Sequence, residues 1–362
     1  MSFLTNTQLL TFKAEAVAGT YEPTVETTRP NVRFSNVTFG KSVEMDTDST
    51  FLSGDWGNDD VASVGAKLGT VSADLKLTGG QYTVVGPVGT HVLTYKDLFS
   101  SVGLGLTEVG TGSVDIIGGT YHFYPDSSNA CKSMSFARFV KQACGASVNG
   151  YMESLRGCVG TFTINVGGRG QPFIMNVSQQ GSVESVEDIA IASFPTFDDT
   201  TAMSIIPDKF LNTTITLTNL SVTPNTSVSV CVSTLSFDAG NTVSEIECQS
   251  TESGIKNYLI TDIAPMLTID PLLQSVAQFD AWGSLTKSDI YKIEIDSANI
   301  SILIPRAQMT TADVADANGF MRTSIAFKPL RNIDVVKPVG LIATVTPESI
   351  YFISLRESLP QY

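Results

Sequence analysis

The sequence predicts a mainly β protein in two similar halves, each with one short α-helix. Three observations carry that expectation. Apolar and polar residues alternate at a period of two in many short runs, whereas helical periodicity occurs in two places. The order strand, acidic connection, strand, helix, strands also occurs twice, at a period of roughly 200 residues, which is too long for a solenoid and suggests a duplicated domain.

Residues 1–30 contain Glu15, Gly19, Pro23 and Pro30 without a long period, so they read as an N-terminal arm. The first domain is expected over 31–185. Val37, Phe39, Lys41, Val43 and Met45 alternate with Thr38, Gly40, Ser42 and Glu44, and Val71, Ala73, Leu75 and Leu77 alternate with Thr70, Ser72, Asp74 and Lys76. Two strands with one apolar face each make a ribbon. Between them runs an acidic loop holding Asp46, Asp48, Asp55, Asp59 and Asp60, with no Lys or Arg before Lys67. Such a segment repels itself, while Phe51, Leu52 and Trp56 supply apolar anchors that fit a surface. It reads either as an assembly loop that orders on another subunit or as a solvated loop on a monomer.

Thr94 to Gly103 predicts a short amphipathic helix. Thr94 and Asp97 form an acidic variant of the capping box, Tyr95, Leu98, Phe99 and Val102 share one face, and Gly103 suits the C-terminal cap. That face is expected to pack on the ribbon. Strands follow around Tyr121 and Phe123, Met134 to Val140, Phe162 to Val166 and Phe173 to Val177, the last two joined at Gly167–Gly170 as a hairpin. From residue 181 the chain turns acidic and irregular, and 186–210 is assigned as a linker.

The second domain, 211–335, repeats the order. Leu235 and Phe237 lie on a strand, Glu245, Glu247 and Glu252 on an acidic connection, and Leu267 and Ile269 on the next strand. Asp270 then reads as a helix cap and Pro271 as the first helical residue, with Leu272, Val276 and Phe279 on one face, widened by Leu273 and Trp282. Residues 336–362 are expected to be a C-terminal extension.

Composition excludes several functions. Acidic residues outnumber basic ones 36 to 22, for a net charge of −14, whereas affinity for phosphate comes from Lys and Arg releasing counterions. The sequence therefore predicts no wrapping of nucleic acid, though it is compatible with guiding DNA without holding it. The N-terminus lacks the features of a signal peptide, and no run of about 18 apolar residues occurs, so a soluble, non-secreted protein without a membrane partner is expected. Five widely spaced cysteines fit free thiols in a reducing compartment.

The two histidines, His91 and His122, have no metal-ligand spacing, and the Asp46-x-Asp48 start of a calcium loop fails at Phe51 and Gly57. A nucleophile elbow, a phosphate loop and an H-E-x-x-H motif are all lacking, so neither an enzyme nor a cofactor is expected.

In its order of short motifs, the chain resembles the tail tube (major tail) proteins of long-tailed bacteriophages. Leu10-Thr-Phe-Lys-Ala-Glu-Ala-Val-Ala-Gly-Thr-Tyr-Glu-Pro-Thr24 is similar to the family's N-terminal arm, and Val43-Glu-Met-Asp46, Gly65-Ala-Lys67, Val71 to Leu77 and Leu98 to Leu104 follow in order. Thr120 to Pro125, Leu155 to Ile164, Leu235 to Asn241 and Ile260 to Pro265 also match family landmarks, and the pattern departs from about Ile333.

The resemblance implies β-sandwich or barrel-like domains with a flanking helix. It implies rings joined side by side and stacked into a hollow tube that passes DNA without specific binding, in a virion tail assembled in the host cytoplasm. A two-domain chain favours three subunits with pseudo-six-fold symmetry over a hexamer. The branch it resembles has a long non-contractile tail, and its partners are further copies plus tail-tip and head-proximal terminator proteins. Glu44, Asp74 and the loop aspartates are the expected lumen acids. Two alternatives stand beside this reading: another virion structural protein, such as a connector or decoration component, and a carbohydrate-binding β-sandwich using Trp56 and Trp282.

Overall fold

The computed structural model describes residues 3–26, 34–46, 63–77, 82–85, 90–93, 96–109, 120–142, 149–168, 170–195, 208–248, 251, 254–272, 279–317, 320–333, 336, 338 and 349–356. Within them the protein is mainly β, with a large antiparallel sheet and two short α-helices.

The first part of the sheet contains β1 (Phe3–Ala14), β2 (Phe34–Asp46), β3 (Ser63–Lys76), β8 (Met134–Gln142), β9 (Asn149–Val166) and β10 (Ile174–Ala190), paired side by side in the order β1, β8, β9, β10, β3, β2. Between β3 and β8 come the small pair β4 (Tyr82–Val85) and β5 (Thr90–Leu93), helix α1 (Lys96–Ser101), β6 (Leu104–Val109) and β7 (Thr120–Pro125). The second part contains β11 (Thr214–Asn219), β13 (Val232–Asp238), β16 (Met266–Pro271), β17 (Ile290–Asp296), β18 (Ile300–Ala317) and β19 (Phe320–Pro329), paired as β11, β17, β18, β19, β16, β13. Numbered by position in the chain, both sets of six follow the same order, first, fourth, fifth, sixth, third, second, with a helix between the third and fourth strands. That second helix is α2 (Ala281–Lys287). The second set also carries β12 (Thr226–Val230) beside β11 and the hairpin β14 (Asn241–Glu247) with β15 (Ile255–Ile263) between β13 and β16.

The two sets share one sheet. Strand β13 pairs with β9, placing Leu235 opposite Val166 and Phe237 opposite Ile164. One row of side chains consequently runs across eight strands: Met309, Phe327, Leu267, Phe237, Ile164, Met175, Leu75 and Phe34. All lie in or against one hydrophobic core. Period-two alternation puts this row on one face, and burying it supplies the main driving force for joining the sets.

A second layer covers that face. Helix α1 buries Leu98 and Phe99 completely and is followed by buried Val102 and by Gly103, whose φ of +80° favours glycine. Phe99 stacks on Phe123 of β7 at 4.2 Å between ring centroids and meets Phe162 of β9 edge-on at 6.4 Å. The layer is completed by β20 (Phe352–Arg356), which pairs with β7 on one side and β18 on the other, while Tyr351 packs edge-on against Phe237 at 4.8 Å.

The structure departs from the sequence-based expectation in several places. The arm at 1–30 is not simply an arm, because β1 pairs with β8 from Gln8 to Ala14 in unbroken register. The acidic stretch after 181 continues β10 as far as Ala190, so 186–190 belongs to the sheet and not to a linker. The C-terminal extension contributes β20 to the core. Asp270 and Pro271 end strand β16 and do not start a helix. The Asp270 carboxylate accepts from Ser233 N–H, Ser233 Oγ and Thr234 N–H of β13, at 3.0, 2.6 and 2.6 Å. Helix α2 begins ten residues later, capped by Asp280, which accepts from Gly283 N–H at 2.8 Å.

Candidate assembly margins and polar sheet face

Sheets end where a strand leaves backbone groups unpaired, and two such margins stand out. Among the described residues, β2 pairs with β3 alone, so its outer margin carries no strand. Strand β18 is the fifth strand of its set, as β9 is of the other. Along one margin β9 holds β8 up to Cys158 and then β13 from Thr163 to Val166. Along the matching margin β18 holds β17 up to Gln308, and beyond that no described strand follows. Apolar residues at these ends are open to solvent: Val43 is 47% and Met45 61% exposed on β2, Val314 is 52% exposed on β18, and Met321 51% on β19. Backbone and side chains at both places can take a further strand.

A buried ion group fixes β2 at the edge. Glu153 of β9, 2% exposed, is paired with Lys41 of β2 and Arg138 of β8, and accepts from Tyr151 Oη at 2.7 Å. Burial pushes the Glu153 carboxyl upward, but the hydrogen bonds from Lys41 and Tyr151 and the Arg138 charge outweigh it and hold it below the usual range. Lys41 is shifted upward by Glu153 and Tyr151 against its own desolvation. Arg138 also lies 5.0 Å over the Phe39 ring. Sequence spacing alone did not reveal this group, since its members come from three strands. The lone charges at Lys41, Arg138 and Glu153 in alternating runs were its signal.

The sheet face opposite the core is rich in hydroxyls and amides. One row across it reads Met266, Asp238, Thr163, Asn176, Asp74 and Ser35, and another Thr161, Ser178, Ser72 and Thr38. Asp74, one of the expected lumen acids, lies on this face, where its carboxylate accepts from Asn36 Nδ2 at 2.6 Å and Asn176 Nδ2 at 2.7 Å. Glu44 is exposed near the free end of β2, and Asp46 ends that strand.

Of the other expected site residues, Asp48, Phe51, Leu52, Asp55, Trp56, Asp59 and Asp60 lie outside the described residues, as do Tyr95 and Val276. Leu98, Phe99 and Val102 sit in the core. Leu272 forms a backbone bridge to Arg322, and Phe279 packs edge-on to Tyr291 at 6.3 Å. Trp282 is 69% exposed on α2, so it widens no buried face.

His122, on β7, is buried. Its Nδ1 shares a 2.8 Å hydrogen bond with Ser354 Oγ of β20, and its Nε2 has no partner. Burial, with a smaller contribution from the Arg356 charge, lowers its pKa to about 4. The residue lines a cleft of about 500 Å³ with Thr214, Glu294, Asp296 and Arg356. Among the described residues no cluster of three or more His, Cys, Asp or Glu could hold a metal ion, and no helix is long and apolar enough to cross a membrane. No family model matches the chain, and no curated protein is found to match it.

Proposed function

We propose that the chain is a structural virion protein, the major tail tube protein of a long-tailed bacteriophage. Copies would join side by side into rings, and rings would stack into a hollow tube through which DNA passes without specific binding. The single observation that carries this reading is the repeated strand order, with β13 of the second set grafted onto β9 of the first. A unit that attaches its second strand to the fifth strand of a like unit makes a heterologous contact, and repeating such a contact closes a ring when the rotation allows. Two units per chain favour three chains with pseudo-six-fold symmetry.

The motif order supports the same reading, as does a wide sheet whose face opposite the core carries rows of hydroxyls, amides and carboxyls. In this reading the tube ends meet tail-tip and head-proximal terminator proteins, and the protein resides in the virion tail after assembly in the host cytoplasm. Negative-stain microscopy of the purified protein tests the proposal: the expected result is annular particles or hollow rods, with six-fold appearance in end view. A monomer at every concentration would overturn it.

A further inference from the structure

We infer that the cleft beside His122 binds an uncharged, hydroxyl-rich small molecule, with a neutral pyranose sugar as the chemical class that fits. The cleft holds about 500 Å³, within the ~300–1,000 Å³ usual for small-molecule sites. Five strands build it. Antiparallel register lines up His122 of β7, Ser354 of β20, Ser301 of β18, Asp296 of β17 and Thr214 of β11 in one cross-strand row. Their chain neighbours Phe123, Ile353, Ile302 and Ile295 belong to the core, so period-two alternation turns the row to the other side. That side lies across the core from the polar sheet face, and the inference neither uses nor requires the proposed path of DNA.

Two features set the ligand class. The first is compensated charge. Asp296 accepts from Arg356 Nη2 at 2.7 Å, and Glu294 is paired with Lys292 at 2.9 Å, so the cleft offers no net charge to a phosphate or an amine. Arg356 also donates to the Ser297 and Ala298 carbonyls at 3.1 and 3.3 Å, which leaves its guanidinium little capacity to clamp an anion. The second feature is open hydrogen-bonding capacity. His122 is 2% exposed and uncharged at neutral pH because of that burial, and its Nε2, at the tip of the ring, has no partner. An unpaired buried atom of this kind is costly. The hydroxyls of Thr120, Thr214, Thr216 and Ser301, in the same cleft, also have no hydrogen-bond partner among the described residues. Hydroxyls both donate and accept, and a sugar ring presents the same dual groups to them. Leu303 and Pro338 add an apolar wall suited to the C–H face of such a ring.

Saturation-transfer NMR and calorimetry on the purified full chain test the assignment, with glucose, galactose, mannose and N-acetylglucosamine as probes. At least one should bind, and glucuronic acid, glucose 6-phosphate and glucosamine should bind no more tightly than their neutral parents. An array of neutral glycans separates the sources: a surface polysaccharide binds there as a chain, whereas a free sugar binds only as the monomer. The double variant Thr214→Val, Ser301→Ala removes two hydroxyls from the row and should weaken binding about ten-fold or more. Thr20→Ala, at an exposed turn outside the cleft, should leave affinity unchanged. Circular dichroism checks that the double variant folds, with Thr216→Val as the replacement if it does not. Absence of binding by every neutral probe, tighter binding of a charged analogue, or unchanged affinity in the cleft variant would each overturn the assignment.

Discussion

Burial of His122 couples the joint between β7 and β20 to pH. Its folded pKa of about 4 lies below the ordinary imidazole value, chiefly because burial disfavours the charged ring. Between about pH 6.5 and 4 the unfolded chain therefore binds a proton that the folded one refuses, so stability present at neutral pH is lost as pH falls through that window. The Glu153 carboxyl, held low by Lys41, Tyr151 and Arg138, works in the same direction at lower pH: its contribution is present above the unfolded carboxylate pKa and lost as pH falls through the folded one. Acid should thus erode the fold in two stages. In His122→Asn the upper stage should flatten, reducing the loss in unfolding free energy between pH 7 and pH 4.5 by up to about 3 kcal/mol. Urea titrations at the two pH values measure it, and an unchanged difference would remove His122 from the account.

At the scale of the elements, α1 depends on burial more than on its own helical tendency. Six residues are too few to hold a helix in water, so packing of Leu98 and Phe99 under β7 and β9 holds it in place. Phe99→Ala should cost about 3–5 kcal/mol through lost contacts and the cavity left behind. Phe99→Asp should unfold the first set, because it buries a charge without a partner. Near-native circular dichroism and an unchanged melting temperature in the aspartate variant would sink this assignment.

This helix and the β2 and β3 strands were legible because their apolar spacing is local. Helix α2 was misplaced for a physical reason: an Asp-Pro pair before apolar residues signals a helix start, but here Leu267, Ile269 and Pro271 continue the buried alternation of β16. The Asp270 carboxylate is satisfied by N–H groups of β13, thirty-six and thirty-seven residues away. Strand β1 is hidden in the sequence because polar Thr5, Asn6, Thr7 and Gln8 interrupt its alternation. Tyr351, Ile353 and Leu355 did carry a period-two signal for β20, obscured by its distance from both β7 and β18. The ion group around Glu153 and the continuity of β13 with β9 arise from non-local pairing, which no window along the chain contains.

For the whole molecule, net charge and the chemistry of the sheet face point to different origins for smooth passage of DNA. The net charge of −14 suggested a bore that repels phosphate through Glu44, Asp74 and the loop aspartates. The broad polar face instead presents Thr161, Ser178, Ser72 and Thr38 in one row, and Asp74 on it is tied to two asparagine amides. If this face lines the tube, smooth passage comes from rows of neutral hydroxyls and amides, in which Lys76 and Lys328 are among the few cations, as much as from the presence of acids. With few Lys or Arg to replace condensed counterions, DNA gains little by staying, while the hydroxyls and amides of the face bond to water or to one another.

The double variant Thr38→Lys, Ser178→Lys, at two exposed positions of that row, tests this directly. On a three-chain ring it adds six cations to the face, and assembled tubes should then retain duplex DNA fragments at about 50 mM salt and release them as salt rises. The fall in log K with log salt should be close to 0.9 per phosphate contacted. Wild-type tubes should retain far less at the same salt. Equal retention by variant and wild type would mean that DNA does not run along this face, whatever the tube's outer form.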